Sequence, residues 1–332
     1  MKKLYKLTLV FALSLICFQM NSQEYMIGAD LSFAKEAEDN GYAFKENKKS
    51  KKVVEIFREH GYNWIRLRLF HSPTELPNNL TYTINLAKEA KQRGFKFLLD
   101  YHYSDTWADP AKQFKPKAWE KHSFPELLDD VYNHTFDVIS SLKKAGVTPE
   151  WVQVGNEIPG GMLWPDGSTD NWKQLGQLLN KGYDAVKAVD ENIKVIVHVD
   201  EGNNNAKFRT FFDNATAQKV RYDIIGLSYY PYWIKKDYSE TIADLEFNLN
   251  DMVKRYNKEV MIVEVGGEDN KVKNTYELLK ATIEAVKKVP NNRGLGVMYW
   301  EPQGAKSWSG YSLSAWQNDG KPSPALDAFK EN

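Results

Sequence analysis

Thiols are all but absent from this chain: of 332 residues only Cys17 carries one, and it lies inside the apolar N-terminal run. If that run is removed the mature protein has no thiol, which excludes disulfides, zinc–thiolate sites and cysteine nucleophiles. An excess of one charge is also missing. Lys plus Arg and Asp plus Glu number 44 each, so no global field draws the chain to nucleic acid or acidic membranes. Past the N-terminus no stretch is apolar enough to cross a bilayer. No linker, low-complexity tract or repeat divides the chain. There is no phosphate loop, no metal-ligand spacing, no histidine cluster and no Ser-His-Asp order, so no cofactor and no metal are expected.

What is present starts at the N-terminus. Lys2, Lys3 and Lys6 precede "LTLVFALSLICF" and "QMNSQ". A basic region, an apolar region and a small-residue exit read as a signal peptide over 1–22, so 23–332 is the expected mature domain, secreted or held at the cell envelope. Cys17 could instead carry a lipid, although Ile16 stands where lipoprotein processing expects a small residue. With 42% hydrophobic residues the chain can bury a large core, and aromatics make up 13%, including 10 Trp and 18 Tyr. Those rings suit core packing, and their flat faces also suit sugar rings.

Short runs rich in Val, Ile and aromatics recur at 25–33, 63–70, 95–103, 150–158, 194–202, 222–230, 259–267 and 295–302, as buried parallel strands should. Amphipathic helical patterns lie between them. Three of these close on Gly61, Gly94 and Gly146, each a glycine C-cap. Others are read at 171–189, 206–219, 239–256 and 274–288, with a last one near 323–330. The stretch "GADLSF" after the first strand lacks the glycines of a dinucleotide-binding open sheet. Eight strand–helix units in about 300 residues fit a single (β/α)8 TIM barrel, whose chemistry sits at the C-terminal ends of the strands.

Polar residues at those ends are therefore the ones to read. "VQVGNEIPGG" (152–161) ends a strand-like run in Asn156 and Glu157, and "EVMIVEVGGE" (259–268) leads into Glu264. Two carboxylates flanking one cleft can cleave a glycosidic bond; each alone could equally be a solvated or salt-bridged charge. Arg66 and Arg68, two apart, share a face of the second strand. His102 follows Asp100 by two and fits the cleft better than a core role, given the block around it. Trp107, Trp164 and Trp233 lie in loops, where stacking on sugars and packing against the rim are both open.

At these residues the chain resembles a known family. "GADLSF", "RLRLFHSP", "LLDYHYSDTWADPAKQFKPKAW", "QVGNEIPGGMLWPDG", "IGLSYYPYW" and "YWEP" resemble glycoside hydrolase family 53, the endo-β-1,4-galactanases of clan A, from about residue 26 onward. The resemblance implies a retaining enzyme on β-1,4-galactan, the arabinogalactan side chains of pectin, with Glu157 as acid/base and Glu264 as nucleophile. It implies substrate contacts from Asn156, Arg66, His102, Asp105, Trp107, Tyr229, Trp300 and Trp164, with Tyr229 hydrogen-bonded to Glu264 and Trp300 beneath the sugar. Glu264, facing Arg66, should stay ionised while Glu157 holds a proton. The partner is then a polysaccharide, and the chain is taken as a monomer.

Two features depart from the family pattern. The loop at 303–318 lacks the Asp and Asn cluster with which some bacterial members hold calcium, so no calcium is expected there. "VEVGG" replaces a turn that commonly contains an aromatic. Rival readings are a clan A glucanase or mannanase with the same two glutamates, and a non-catalytic carbohydrate-binding barrel, which would have no need of Glu157 and Glu264.

Overall fold

The structure, a computed structural model, describes residues 25–330; the expected signal peptide and Cys17 lie outside them. The strands are β1 (Met26–Asp30), β2 (Trp64–Phe70), β3 (Lys96–His102) and β4 (Trp151–Gln153). They continue as β5 (Lys194–Val199), β6 (Ile224–Tyr229), β7 (Glu259–Val265) and β8 (Gly294–Trp300). All pair in parallel with their chain neighbours, and β8 closes on β1. The (β/α)8 barrel expected from the strand–helix alternation is the observed fold.

Two short helices, α1 (Ala34–Asp39) and α2 (Val53–Glu59), follow β1, with a small hairpin of Lys45–Glu46 and Lys49–Ser50 between them. The others are α3 (Leu80–Gln92), α4 (Phe124–Lys144), α5 (Trp172–Val189), α6 (Asn205–Ala217), α7 (Ile242–Tyr256) and α8 (Val272–Lys287). Gly61, Gly94 and Gly146 all stand just past their helices at positive φ, which only glycine adopts without strain. The next residue's N–H closes each turn, as with Tyr62 on the Phe57 carbonyl at 3.1 Å.

Among the boundaries that differ from the reading of the sequence, three bear on the argument. Helix α4 begins at Phe124, where Ser123 and Glu126 form a reciprocal cap around Pro125, a signal present in "SFPE". The final helix is a 3-10 turn, Pro324–Phe329. Strand β4 stops at Gln153 because Gly155 and Glu157 both take positive φ, which turns the chain out of the sheet.

Two cores result. The larger fills the space between barrel wall and helices. The smaller lies inside the barrel and gathers Met26, Trp64, Leu98, Trp151, Ile196, Ile224, Met261, Val263, Leu295 and Met298. Moving up the barrel axis, the inward positions turn polar. Trp64 gives way to Arg66 and Arg68, Leu98 to Asp100 and His102, and Ile196 to His198, each two residues on. One irregularity matters for the site. Leu227 pairs with Ile262 but Ser228 pairs with Glu264, so β7 holds one extra residue. With strict alternation Val265 would follow Val263 inward; the bulge brings Glu264 in instead.

Candidate active site

The strand ends surround a cleft of about 490 Å³ lined by His102, Trp107, Asn156, Glu157, Asp200, Ser228, Tyr230, Glu264, Trp300 and Tyr311. A larger hollow of about 590 Å³ adjoins it at Trp233, but it is walled by the loops after β6 and β7 and contains neither Glu157 nor Glu264. The paired carboxyls make the smaller cleft the candidate site.

Glu264 is buried, and its Oε1 lies 2.9 Å from Arg66 Nη2. The Tyr230 hydroxyl donates to its Oε2 at 3.3 Å. Arg66 has no exposed surface and serves several partners: Asp30 at 2.8 Å, Asp100 at 2.9 Å, the Asn156 side-chain oxygen at 2.9 Å and Gln153 at 2.8 Å. Its single charge is therefore divided. Burial raises Glu264 to about 7 despite Arg66, with Asp100 and Asp30 adding to the rise. Burial alone would also raise Asp100, but Arg66 and His102 bring it down to about 2. Burial first, and then the neighbouring charges of Asp100 and Asp30, keep Glu264 from being depressed as a lone Arg66–Glu264 pair would be.

Glu157 stands across the cleft with φ 42°, a conformation costly for a residue with a side chain. Its Oε1 accepts from Ser228 at 2.6 Å, and its backbone N–H donates to His198 Nδ1 at 3.3 Å. The backbone carbonyls of Asn156 and Glu157 both accept from the Gln113 amide. Burial, and then the charge of Glu264, push Glu157 well above the usual carboxyl range. Glu157 is raised as expected, but Glu264 is raised too and not lowered by the facing Arg66, because burial outweighs that charge; the pair titrates as a unit.

Asn156 accepts from Arg66 and donates to the Ala108 carbonyl at 2.9 Å, which leaves its second amide hydrogen for the cleft. Burial lowers His102. Its Nδ1 accepts from the Ala108 N–H at 3.0 Å, so Nε2 carries the hydrogen and faces Asp100 at 3.1 Å. Arg68 pairs with Glu301 and lies over Phe33 at 4.3 Å, Trp107 at 4.6 Å and Trp300 at 5.3 Å. It binds a structural carboxylate and fixes two cleft rings. A smaller hollow of about 240 Å³ continues the cleft past Trp107, Trp300 and Tyr311 over Glu301, a carboxyl that burial raises to about 8.

Four expected substrate contacts are placed elsewhere. Tyr229 is buried with its hydroxyl against Thr241 at 2.8 Å, on the helix side of the wall; Tyr230, the next residue, reaches Glu264, since neighbours on a strand face opposite sides. Asp105 accepts from the backbone N–H groups of Ser72 and Lys117 and ties two loops together. Trp164 donates to the Gly160 carbonyl and packs on Phe114, outside the cleft lining. Arg66 lies beneath the cleft and holds Glu264 in place of substrate. Sequence reasoning left Ser228 and Gln153 out of the site; "LSYY" and "WVQV" mark them only once the inward face is known.

The family described as glycosyl hydrolase family 53 matches residues 26–329. A Niallia circulans protein, described as an uncharacterized protein in the bgaB 5′ region, is 37% identical over 90% of this chain and 90% of its own. The arabinogalactan endo-β-1,4-galactanase of Thermothelomyces thermophilus is 32% identical over 83% of this chain and 88% of its own. Among solved structures, the Ignisphaera aggregans GH53 catalytic domain superposes with a TM-score of 0.85 at 30% identity, covering 92% of this chain and 95% of that one.

Proposed function

The chain belongs to glycosyl hydrolase family 53 and acts as an endo-β-1,4-galactanase; we propose that it cleaves the galactan side chains of pectin with retention of configuration, through Glu264 as nucleophile and Glu157 as acid/base. One observation carries this reading: two carboxyls line one cleft, Glu264 against a guanidinium and Glu157 on a hydroxyl. In the first step a Glu264 oxygen attacks the anomeric carbon while Glu157 protonates the departing glycosidic oxygen. In the second, Glu157 takes a proton from water, which displaces Glu264 from the same carbon. Tyr230 and Arg66 orient Glu264 and oppose the rise that burial imposes on it, and the free amide hydrogen of Asn156 meets the sugar's 2-hydroxyl. Trp300 and Trp107 supply apolar faces for the ring.

The test is incubation with β-1,4-galactan, β-mannan and carboxymethyl cellulose, with products separated by size and the new anomer read by NMR. Mixed oligosaccharides from galactan alone, first released as the β-anomer, are expected; cleavage of mannan or cellulose in its place, or an α-anomer, overturns the reading. Glu157→Gln and Glu264→Gln should each lower the rate on galactan by about 10²–10⁴-fold or more with the fold intact by circular dichroism. We further propose that residues 1–22 direct export. Among the described residues no helix is long and apolar enough to cross a membrane. The mass of the protein recovered from the medium tests the cleavage and any lipid on Cys17.

A further inference from the structure

On the reading of Glu157 as acid/base, we propose that Gln153, His198 and Ser228 are positioning residues forming a one-way hydrogen-bond chain that starts at Arg66 and keeps the acid's proton on the cleft-facing oxygen of Glu157. The direction of each link follows from the one before. Arg66 can only donate, and its Nε meets Gln153 Oε1 at 2.8 Å. That fixes the amide, so Gln153 Nε2 is the atom facing His198 Nδ1 at 3.1 Å, with Asp100 Oδ1 at 3.0 Å as its other acceptor. His198 Nδ1 also receives the Glu157 N–H at 3.3 Å and lies 3.2 Å from Asn156 Oδ1, an oxygen already taken by Arg66; two donors face it against one engaged acceptor, so it is assigned as the bare nitrogen. Its Nε2 then carries the hydrogen and donates to Ser228 Oγ at 2.7 Å. The only hydrogen Ser228 has left goes to Glu157 Oε1 at 2.6 Å.

An oxygen that must accept from Ser228 is a poor place for a proton. The acid's proton is therefore confined to Oε2, which has no protein partner among the described residues. His198 is buried, and burial and then Arg66 hold it well below the usual imidazole range, so the neutral ring keeps this direction across the working pH. The groups facing Glu157 are Glu264 on β7, Asp200 after β5, Arg66 on β2 and Tyr230 after β6. Those facing His198 are Arg66, Asp100 and His102. Arg66 thus touches the nucleophile directly and the acid through four hydrogen bonds relayed by three residues.

The chain is tested in two ways. Ser228→Ala removes the donor that favours ionised Glu157, so the alkaline limb of kcat/KM should move up by about one pH unit. It also frees Oε1 for the proton, so turnover of galactan should fall about tenfold while an activated aryl galactobioside, whose leaving group needs no proton, is hydrolysed nearly as before. Ser228→Thr should restore both. An unmoved limb, or equal loss on the two substrates, overturns the inference. The second test needs no variant: nitrogen-15 NMR of the whole protein should find His198 protonated at Nε2 and bare at Nδ1 from pH 5 to pH 9, and the opposite tautomer overturns the chain. If Glu157→Gln is inactive while Ser228→Ala behaves as wild type, the relay fails and the assignment of Glu157 stands; a fully active Glu157→Gln overturns both.

Discussion

Arg66 neutralises only part of the charge around it, and the shortfall is borne by the glutamates. Burial holds Glu157 and Glu264 above an unfolded value near 4.3. The folded chain therefore binds more protons than the unfolded one, and this contribution to stability, complete below that value, is lost as pH rises through the folded values. Glu157→Gln should then raise Tm more at pH 8 than at pH 5, by roughly 2–4 °C for each kcal/mol relieved, read by scanning calorimetry at the two pH values. The same titration gives the wild type a bell-shaped rate profile. Its two limbs belong to the coupled pair of Glu157 and Glu264, both of which burial raises. Side by side, Tyr230→Phe and Tyr229→Phe separate the two faces of β6. Loss of a hydrogen bond to a charged group is worth about 1.5–3 kcal/mol, so Tyr230→Phe should slow turnover about ten- to hundredfold. Tyr229→Phe should leave turnover alone and cost only stability, measured in urea.

Elements were legible where one force dominates. Strands buried on both faces must be apolar runs, and glycine ends helices in a conformation no other residue takes easily, so the alternation gave the barrel. The end of helix α4 was read from Gly146, whereas its start, marked by Ser123, Pro125 and Glu126, was passed over; Ser123→Ala should cost about 1 kcal/mol, visible as a lower denaturation midpoint. The bulge in β7 was not legible, because nothing local in "MIVEVGG" says which of Val263, Glu264 and Val265 turns inward; the pairing with Ser228 decides it. Nor was the choice between Tyr229 and Tyr230, which turns on where inward alternation ends. Glu157, Glu264, Asn156, His102, Trp107 and Trp300 do share one cleft, while Asp105 and Trp164 spend their polar atoms on loops. Inside the barrel Gly28 has no room for a side chain, since a Cβ there would fall 2.0 Å from the Met298 sulfur. Gly28→Ala should destabilise by about 1–3 kcal/mol without altering the specific activity of the folded fraction.

At the scale of the molecule, equal numbers of acidic and basic residues suit a neutral polymer: no long-range steering is available, and none is needed. Turnover of galactan should accordingly change little with added salt. Dialysis against a chelator should also leave the rate unaltered, as the sequence shows no ligand spacing; a loss restored by calcium or zinc would reveal a metal the reading missed. The barrel gathers side chains from distant parts of the chain, so Trp107, Trp300 and Trp233, far apart in sequence, line the same cleft. Trp107 and Trp300 lie 6.1 Å apart beside the Arg68 guanidinium, and Trp233 stands two-thirds exposed at the rim. A sugar settling on these rings displaces the water around their indoles and so changes their emission. The enzyme carries its own optical gauge of occupancy: titrating the inactive Glu157→Gln protein with galactan oligosaccharides should shift its fluorescence saturably, without any added label.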